Sequence, residues 1–177
     1  PPHLILFPEV AFDEARFLTA VKEAVERYGY CTIVASEGVR GPDGKFLAEA
    51  GTRDAFGHVQ LGGVGPLIAE KVRAALGYKY HWAVADYLQR SARHIASKTD
   101  LAISRKVGMA AVKLALAGQN AVMPVVKRRS SKPYRYDIVA EPLSAIANQE
   151  RKLPASYIRE DGFGITRAAR TYLAPLV

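Results

Sequence analysis

The sequence predicts an α/β fold of three layers, α/β/α, with a mostly parallel sheet between the helices. Two observations carry that expectation. A continuous apolar run, Leu4 to Phe7, is followed by a helical pattern and then by a second, β-branched run from Tyr30 to Ala35. Strand, helix and strand in that order make a crossover unit, which joins parallel strands and leaves helices covering the sheet on both faces. The composition is that of one ordinary folded domain, with 177 residues, 49% hydrophobic, and a mean hydropathy of -0.04. A chain of that size buries roughly two thirds of the surface it exposes when unfolded. Disorder, a collagen helix and a coiled coil are excluded by the same figures. No apolar stretch approaches the ~20 residues that span a bilayer, and no signal peptide is expected.

Each element has its own local reason. The run Leu4–Phe7 ends at Pro8 and reads as a strand buried on both faces. Asp13 is placed to cap the helix that follows. Phe17, Leu18, Val21, Ala24 and Val25 recur at helical spacing until Gly29 ends the pattern. Thr32, Ile33 and Val34 then give the second strand its β-branched centre. From Gly38 to Gly65 the chain is rich in glycine and polar residues and too long for a tight connection, so it is expected to be a functional loop. Pro66 is a favoured first residue for the next helix, which continues through Leu67, Ile68, Val72 and Leu76 to Gly77. Lys79 to Asp86 alternates as a third strand. A long amphipathic helix is expected from about Ser91 to Leu116, with Gly118 as its stop. Ala121 to Val126 is a fourth strand, and Arg135 to Ala140 another after the basic turn Lys127–Pro133. The tail from Leu143 carries short helical stretches around Ile146 and Ala168. No repeat, low-complexity tract or linker divides residues 1–177, which are expected to form a single domain.

Charge narrows the function classes without choosing one. There are 25 Lys and Arg against 17 Asp and Glu, a balance of +8, which suits nucleic acid and a phosphorylated small molecule equally. Lys127, Arg128 and Arg129 read as a solvated turn, because no aromatic residues interleave with them to stack bases. Cys31 is alone, which leaves no disulfide within the chain and favours a reducing, cytoplasmic setting. His3, His58, His81 and His94 are scattered, so metal binding by this chain is not expected. Ser36 precedes a glutamate and does not lie in a nucleophile elbow. The run GHVQLGGVGPL has the glycines of a phosphate loop but neither its lysine nor its hydroxyl.

In an α/β sheet, ligands gather at the carboxyl ends of the strands. Glu37 and Gly38 end the second strand in VASEG. A carboxylate there accepts hydrogen bonds from sugar or polyol hydroxyls, and glycine admits a close approach to the backbone. The plain alternative is a carboxylate opening a surface loop. The run DYLQRS ends the third strand. Arg90 offers a planar fork of donors that fits a phosphate, at the N-terminus of the expected long helix, and Tyr87 adds a hydroxyl. Its plain alternative is an arginine at a helix end. Together these residues suggest a pocket for an anion and a polyol, and they name no reaction.

Five motifs in order, PHLILFPEV, VASEG, DAFGHVQLGG, YLQRS and GMAAVKLALAG, resemble the C-terminal region of phosphofructokinases, most of all their pyrophosphate-dependent branch. The resemblance implies a phosphofructokinase-like C-terminal domain that binds fructose 6-phosphate. Glu37 would then bond sugar hydroxyls, and Tyr87 and Arg90 the 6-phosphate, with Gly38, Gln89, Lys79 and His81 as further candidates. Two positions depart from the family. His81 stands where relatives carry an arginine that reaches a neighbouring subunit's substrate, and Asp86 replaces the glycine before YLQR. Lys79 and His81 are the groups at hand to replace that charge. Glu9 reads as a strand-end carboxylate.

The family's phosphoryl-donor loop, its TIDND-like segment with the catalytic aspartate, and its MGR motif all lie upstream of the region matched. The resemblance therefore implies a glycolytic phosphotransferase of which this chain is the sugar-phosphate-binding portion, with no catalytic residue and no activity alone. Its donor would be pyrophosphate or ATP, with Mg2+ held mainly by the N-terminal part of the same enzyme. A homo-oligomer in the cytoplasm is implied, with neither nucleic acid nor membrane as partner. An ATP-dependent phosphofructokinase segment, a non-catalytic sensor of sugar phosphates and a nucleic-acid-binding module are the alternatives.

Overall fold

The computed structural model describes residues 2–53, 59–61, 63–85 and 87–177, without the side chains of 49–53, 59–61, 89 and 90. The chain divides into two compact units. One comprises Pro1–Asp86 with Leu153–Thr166, the other Tyr87–Lys152 with Arg167–Val177.

The first unit contains β1 (Leu4–Leu6), α1 (Glu14–Tyr28), β2 (Ile33–Ala35), β3 (Glu49–Arg53), β4 (Val59–Leu61) and α2 (Val64–Leu76). The crossover expected from the sequence is present. β1 and β2 pair in parallel, Leu4 with Ile33 through Leu6 with Ala35, and α1 connects them. Asp13 accepts the Arg16 amide at 3.1 Å, and Gly29 closes the helix in the left-handed region at φ 79, a conformation that costs glycine little. Phe17, 0% exposed, and Val21 turn inward with Leu4, Leu6, Phe12 and Val39 onto Ile68 and Val72 of α2, which makes one core. The Lys71 ammonium meets the Glu14 carboxylate at 2.6 Å, tying α2 to the start of α1. α2 starts at Val64 behind Gly63, so Pro66 lies inside the first turn rather than at its first position. The segment 153–166 returns to this unit. Phe163 accepts the Ile5 amide at 2.9 Å, and Glu9 accepts the Leu153 amide at 2.8 Å. Glu9 is thus a clasp on the returning chain.

Within Gly38–Gly65 the expected loop is partly replaced by the antiparallel pair β3 and β4. The alternating run from Lys79 does not form the expected third strand. Residues 77–85 have no regular structure, and Trp82 and Val84 are exposed. Alternation tells which side chains a strand would bury, but a strand also needs a partner in register, and among the described residues 77–85 pair with none.

The second unit contains α3 (Leu88–Ser91), α4 (Lys98–Leu116), β5 (Val122–Ser131), β6 (Tyr134–Pro142) and α5 (Arg167–Leu173). The single long helix expected from Ser91 is interrupted. α3 stops at Ala92, a 3-10 turn covers Arg93–Ile95, and α4 begins afresh behind Ser97. The reason is a cap. The Ser97 hydroxyl accepts the Asp100 amide at 3.3 Å, and Ser-x-x-Asp before an apolar run is a helix start in its own right. β5 and β6 form an antiparallel hairpin against which α4 packs. The basic run expected as a turn lies largely within β5, and the turn itself is Lys132–Pro133. Lys127 pairs with Glu141 and Arg129 with Asp137, while Arg128 lies over the Tyr172 ring and donates to the Tyr172 carbonyl at 2.6 Å. Each of the three cations is engaged by its own unit. No described helix is long and apolar enough to cross a membrane.

Candidate functional site

The predicted site residues fall in both units. Glu37, Gly38, Lys79 and His81 belong to the first, and Tyr87, Gln89 and Arg90 to the second.

Glu37 stands where the sequence places it, directly beyond the carboxyl end of parallel strand β2. Four residues, 36–39, form a turn. The Ser36 amide continues the parallel pairing by donating to Leu6 at 3.1 Å, and the Val39 amide closes the turn on the Ser36 carbonyl at 3.2 Å. Val39, 1% exposed, is anchored in the core and accepts the Leu47 amide. Between these two fixed ends the Glu37 side chain folds inward. Its Oε2 is buried and has no hydrogen-bond partner among the described residues. A buried polar atom without a partner carries a desolvation cost that water or a ligand donor would relieve.

Gly38 plays a different part from the one its composition suggests. A Cβ built there would meet Pro8 Cβ at 3.3 Å and Ser36 Oγ at 3.7 Å. The missing side chain therefore lets the turn pack on Pro8, two residues beyond β1. The Ser36 hydroxyl also accepts the Gly38 amide at 3.2 Å. Sequence reasoning passed over this serine once it was seen not to be a nucleophile. The available signal was a serine two residues before a glycine at a strand end, the pattern of a side-chain-capped turn.

Lys79 and His81 are exposed on the irregular stretch 77–85. In the second unit, Tyr87 is the N-cap of α3 and is 68% exposed. The Ser91 amide donates to the Tyr87 carbonyl at 2.9 Å, so Tyr87 and Arg90 stand one turn apart. Arg90 is in this short helix and not at the start of the long one, which corrects the expectation that the long helix's free amides would assist it. The long helix has one of its first amides, that of Asp100, answered by the Ser97 hydroxyl and carries the Asp100 carboxylate in its first turn, a charge that disfavours an anion there. Asp86 and His58, and most of the DAFGHVQLGG motif, lie outside the described residues. Among the described residues no group of three His, Cys, Asp or Glu side chains could hold a metal ion.

No family model matches the chain. It is 58% identical over 177 residues to the pyrophosphate-fructose 6-phosphate 1-phosphotransferase of Halomonas elongata, which covers 100% of this chain and 42% of that protein. The enzyme of the same name from Methylococcus capsulatus is 58% identical over 174 residues, covering 98% of this chain and 41% of its own length. The crystal structure of the pyrophosphate-dependent phosphofructokinase from Nitrosospira multiformis superposes with a TM-score of 0.80 at 49% identity, over 99% of this chain and 40% of that one. The chain therefore spans about two fifths of the length of the curated relatives it matches.

Proposed function

The chain belongs to the phosphofructokinase family, in its pyrophosphate-dependent branch, and from that premise we propose that it is the fructose 6-phosphate-binding part of a longer enzyme. That enzyme transfers a phosphoryl group from pyrophosphate to the 1-hydroxyl of fructose 6-phosphate, giving fructose 1,6-bisphosphate and phosphate. The two units serve together as one substrate-binding domain, and the enzyme works as a cytoplasmic homo-oligomer in glycolysis. The observation that most supports this reading is the Glu37 carboxylate, held at a strand's carboxyl end with a buried oxygen that lacks a donor. A sugar hydroxyl is a donor of the required kind.

In this proposal Glu37 accepts from hydroxyls of the sugar, and Tyr87 and Arg90 take the 6-phosphate. Arginine suits that task because its planar fork can bond two phosphate oxygens at once. Lys79 and His81 are the first unit's exposed cationic or titratable groups near the end of the same sequence region, and they stand in for the family arginine that His81 replaces. No residue of this chain is given a part in the transfer itself. Phosphoryl transfer needs an activated hydroxyl and a metal that neutralises developing charge. Magnesium is assigned mainly to the remainder of the enzyme, as the resemblance to the family implies.

Arg90→Ala in the complete enzyme tests the assignment. Loss of a charge-assisted pair costs about 2 kcal/mol, so KM for fructose 6-phosphate should rise roughly 30-fold while KM for pyrophosphate stays near its starting value. An unchanged KM for the sugar phosphate would overturn the role given to Arg90.

A further inference from the structure

We propose that Ser36 is a positioning residue for sugar recognition, acting through Glu37 and aided by the contact of Gly38 with Pro8. The inference rests on the role given to Glu37 above and goes beyond it, since it says what aims the carboxylate.

Ser36 uses every polar atom it has to shape the turn. Its amide donates to Leu6, its carbonyl accepts from Val39, and its hydroxyl accepts from Gly38 at 3.2 Å. The backbone bonds join the turn to β1 on one side and to the buried Val39 on the other. They would survive any substitution that keeps the fold. The hydroxyl bond is different, because it is the side chain's own restraint on the peptide that follows Glu37. Without it the Gly38 amide has no side-chain acceptor, and the Glu37–Gly38 peptide is free to turn towards another one. A rotation there redirects the Glu37 side chain.

Gly38 supplies the second restraint. Its position against Pro8 is tight enough that an added Cβ at 3.3 Å obliges one of them to give. Pro8 follows β1 by two residues, so a shift on either side of this contact alters how the turn lies against the end of that strand. Strand β1, the serine hydroxyl and the absent side chain at 38 thus converge on the orientation of one carboxylate. That convergence is what recognition of a hydroxyl needs, because a hydrogen bond weakens steeply once its angle is lost. A carboxylate that merely opened a loop would gain nothing from it.

The test uses the full-length enzyme containing this segment, with steady-state kinetics for fructose 6-phosphate. Ser36→Ala should raise KM for the sugar phosphate about 3- to 10-fold and leave kcat within about two-fold, the pattern of lost binding that is equal in ground and transition states. Ser36→Thr, which keeps the hydroxyl, should restore KM, and Gly38→Ala should raise it as Ser36→Ala does. The same substitution made in a Glu37→Met background should add nothing, since the group being aimed is gone. If Glu37→Met itself leaves KM unchanged, the reading of Glu37 fails and takes this one with it. If Glu37→Met raises KM but Ser36→Ala does not, the proposal for Ser36 alone is overturned. Equal effects of Ser36→Ala in both backgrounds would also overturn it, because the serine would then act by another route.

Discussion

Replacing Glu37 with methionine should make the unliganded protein more stable and its sugar site weaker. The two effects have one cause. In the free protein the buried Oε2 has no partner among the described residues, and an acceptor buried without a donor costs about 1 to 3 kcal/mol, more when charged. Methionine has nearly the same length and no polar oxygen, so it recovers part of that cost. In an enzyme as long as the relatives, of which this chain spans 42%, a gain of about 1 to 2 kcal/mol corresponds to a rise in Tm of roughly 1 to 2 °C. Binding moves the other way. The hydroxyl that would have satisfied the carboxylate loses a charge-assisted acceptor worth about 1.5 to 3 kcal/mol, which weakens the sugar phosphate about 10- to 150-fold. Thermal unfolding of the complete enzyme with and without fructose 6-phosphate reads both. The wild-type protein should gain about 2.7 kcal/mol at a ligand concentration 100 times Kd, and the variant at the same concentration much less. A lower Tm in the absence of ligand together with an undiminished shift in its presence would refute the reasoning. Glu37 would then be a structural carboxylate.

Two further outcomes follow from the first unit. Phe17 is wholly buried and its ring lies 5.3 Å from that of Phe12, so Phe17→Ala should cost about 3 to 5 kcal/mol in denaturant unfolding, and a cost below about 1 kcal/mol would mean that α1 does not anchor this core. Burial pushes the Cys31 thiol up from its ordinary range, which lowers its thiolate fraction at pH 8. Alkylation of the folded protein by iodoacetamide should be slower than that of a free thiol and should recover in urea, and a rate equal to that of the free thiol would contradict the burial.

What could be read from the sequence was what local chemistry decides. Asp13 and Gly29 bound α1 because a carboxylate satisfies a free amide and glycine tolerates a positive φ. Leu4 to Leu6 and Ile33 to Ala35 pair in parallel because a helical connection of that length allows little else. The failures are non-local. Residues 79–85 alternate well enough for a strand, yet among the described residues no strand pairs with them. Lys127 and Arg129 are solvated as expected, but they lie in a strand and not in the turn, and their partners Glu141 and Asp137 come beside them only across the hairpin. The break between α3 and α4 is a third kind of failure. Ser97 and Asp100 announce a helix start, but continuous apolar spacing from Ser91 outweighed them in a reading based on periodicity. In the candidate site, the position of Glu37 just beyond a strand end was legible, whereas the Ser36 hydroxyl shapes the turn by a hydrogen bond that leaves no mark of reactivity in the sequence.

Ion pairing leaves the surplus of +8 unchanged but reduces the number of cations that are free. Lys71 with Glu14, Arg73 with Glu70, Lys127 with Glu141, Arg129 with Asp137 and Arg159 with Asp161 are solvent-exposed pairs, each worth about 0 to 1 kcal/mol. They do not explain stability, but they remove five cations from the pool free to meet a foreign anion. Arg128 is committed as well, to Tyr172. The residual charge acts over a Debye length of about 8 Å in physiological salt. Attraction of that kind brings any anion to the surface and does not choose among them. Choice requires donors and acceptors at contact distance, matched in geometry to both ends of one molecule. That is the work proposed for Arg90 and Tyr87 at the phosphate and for Glu37 at the hydroxyls, and it explains why a single oriented carboxylate can matter more to specificity than eight units of net charge.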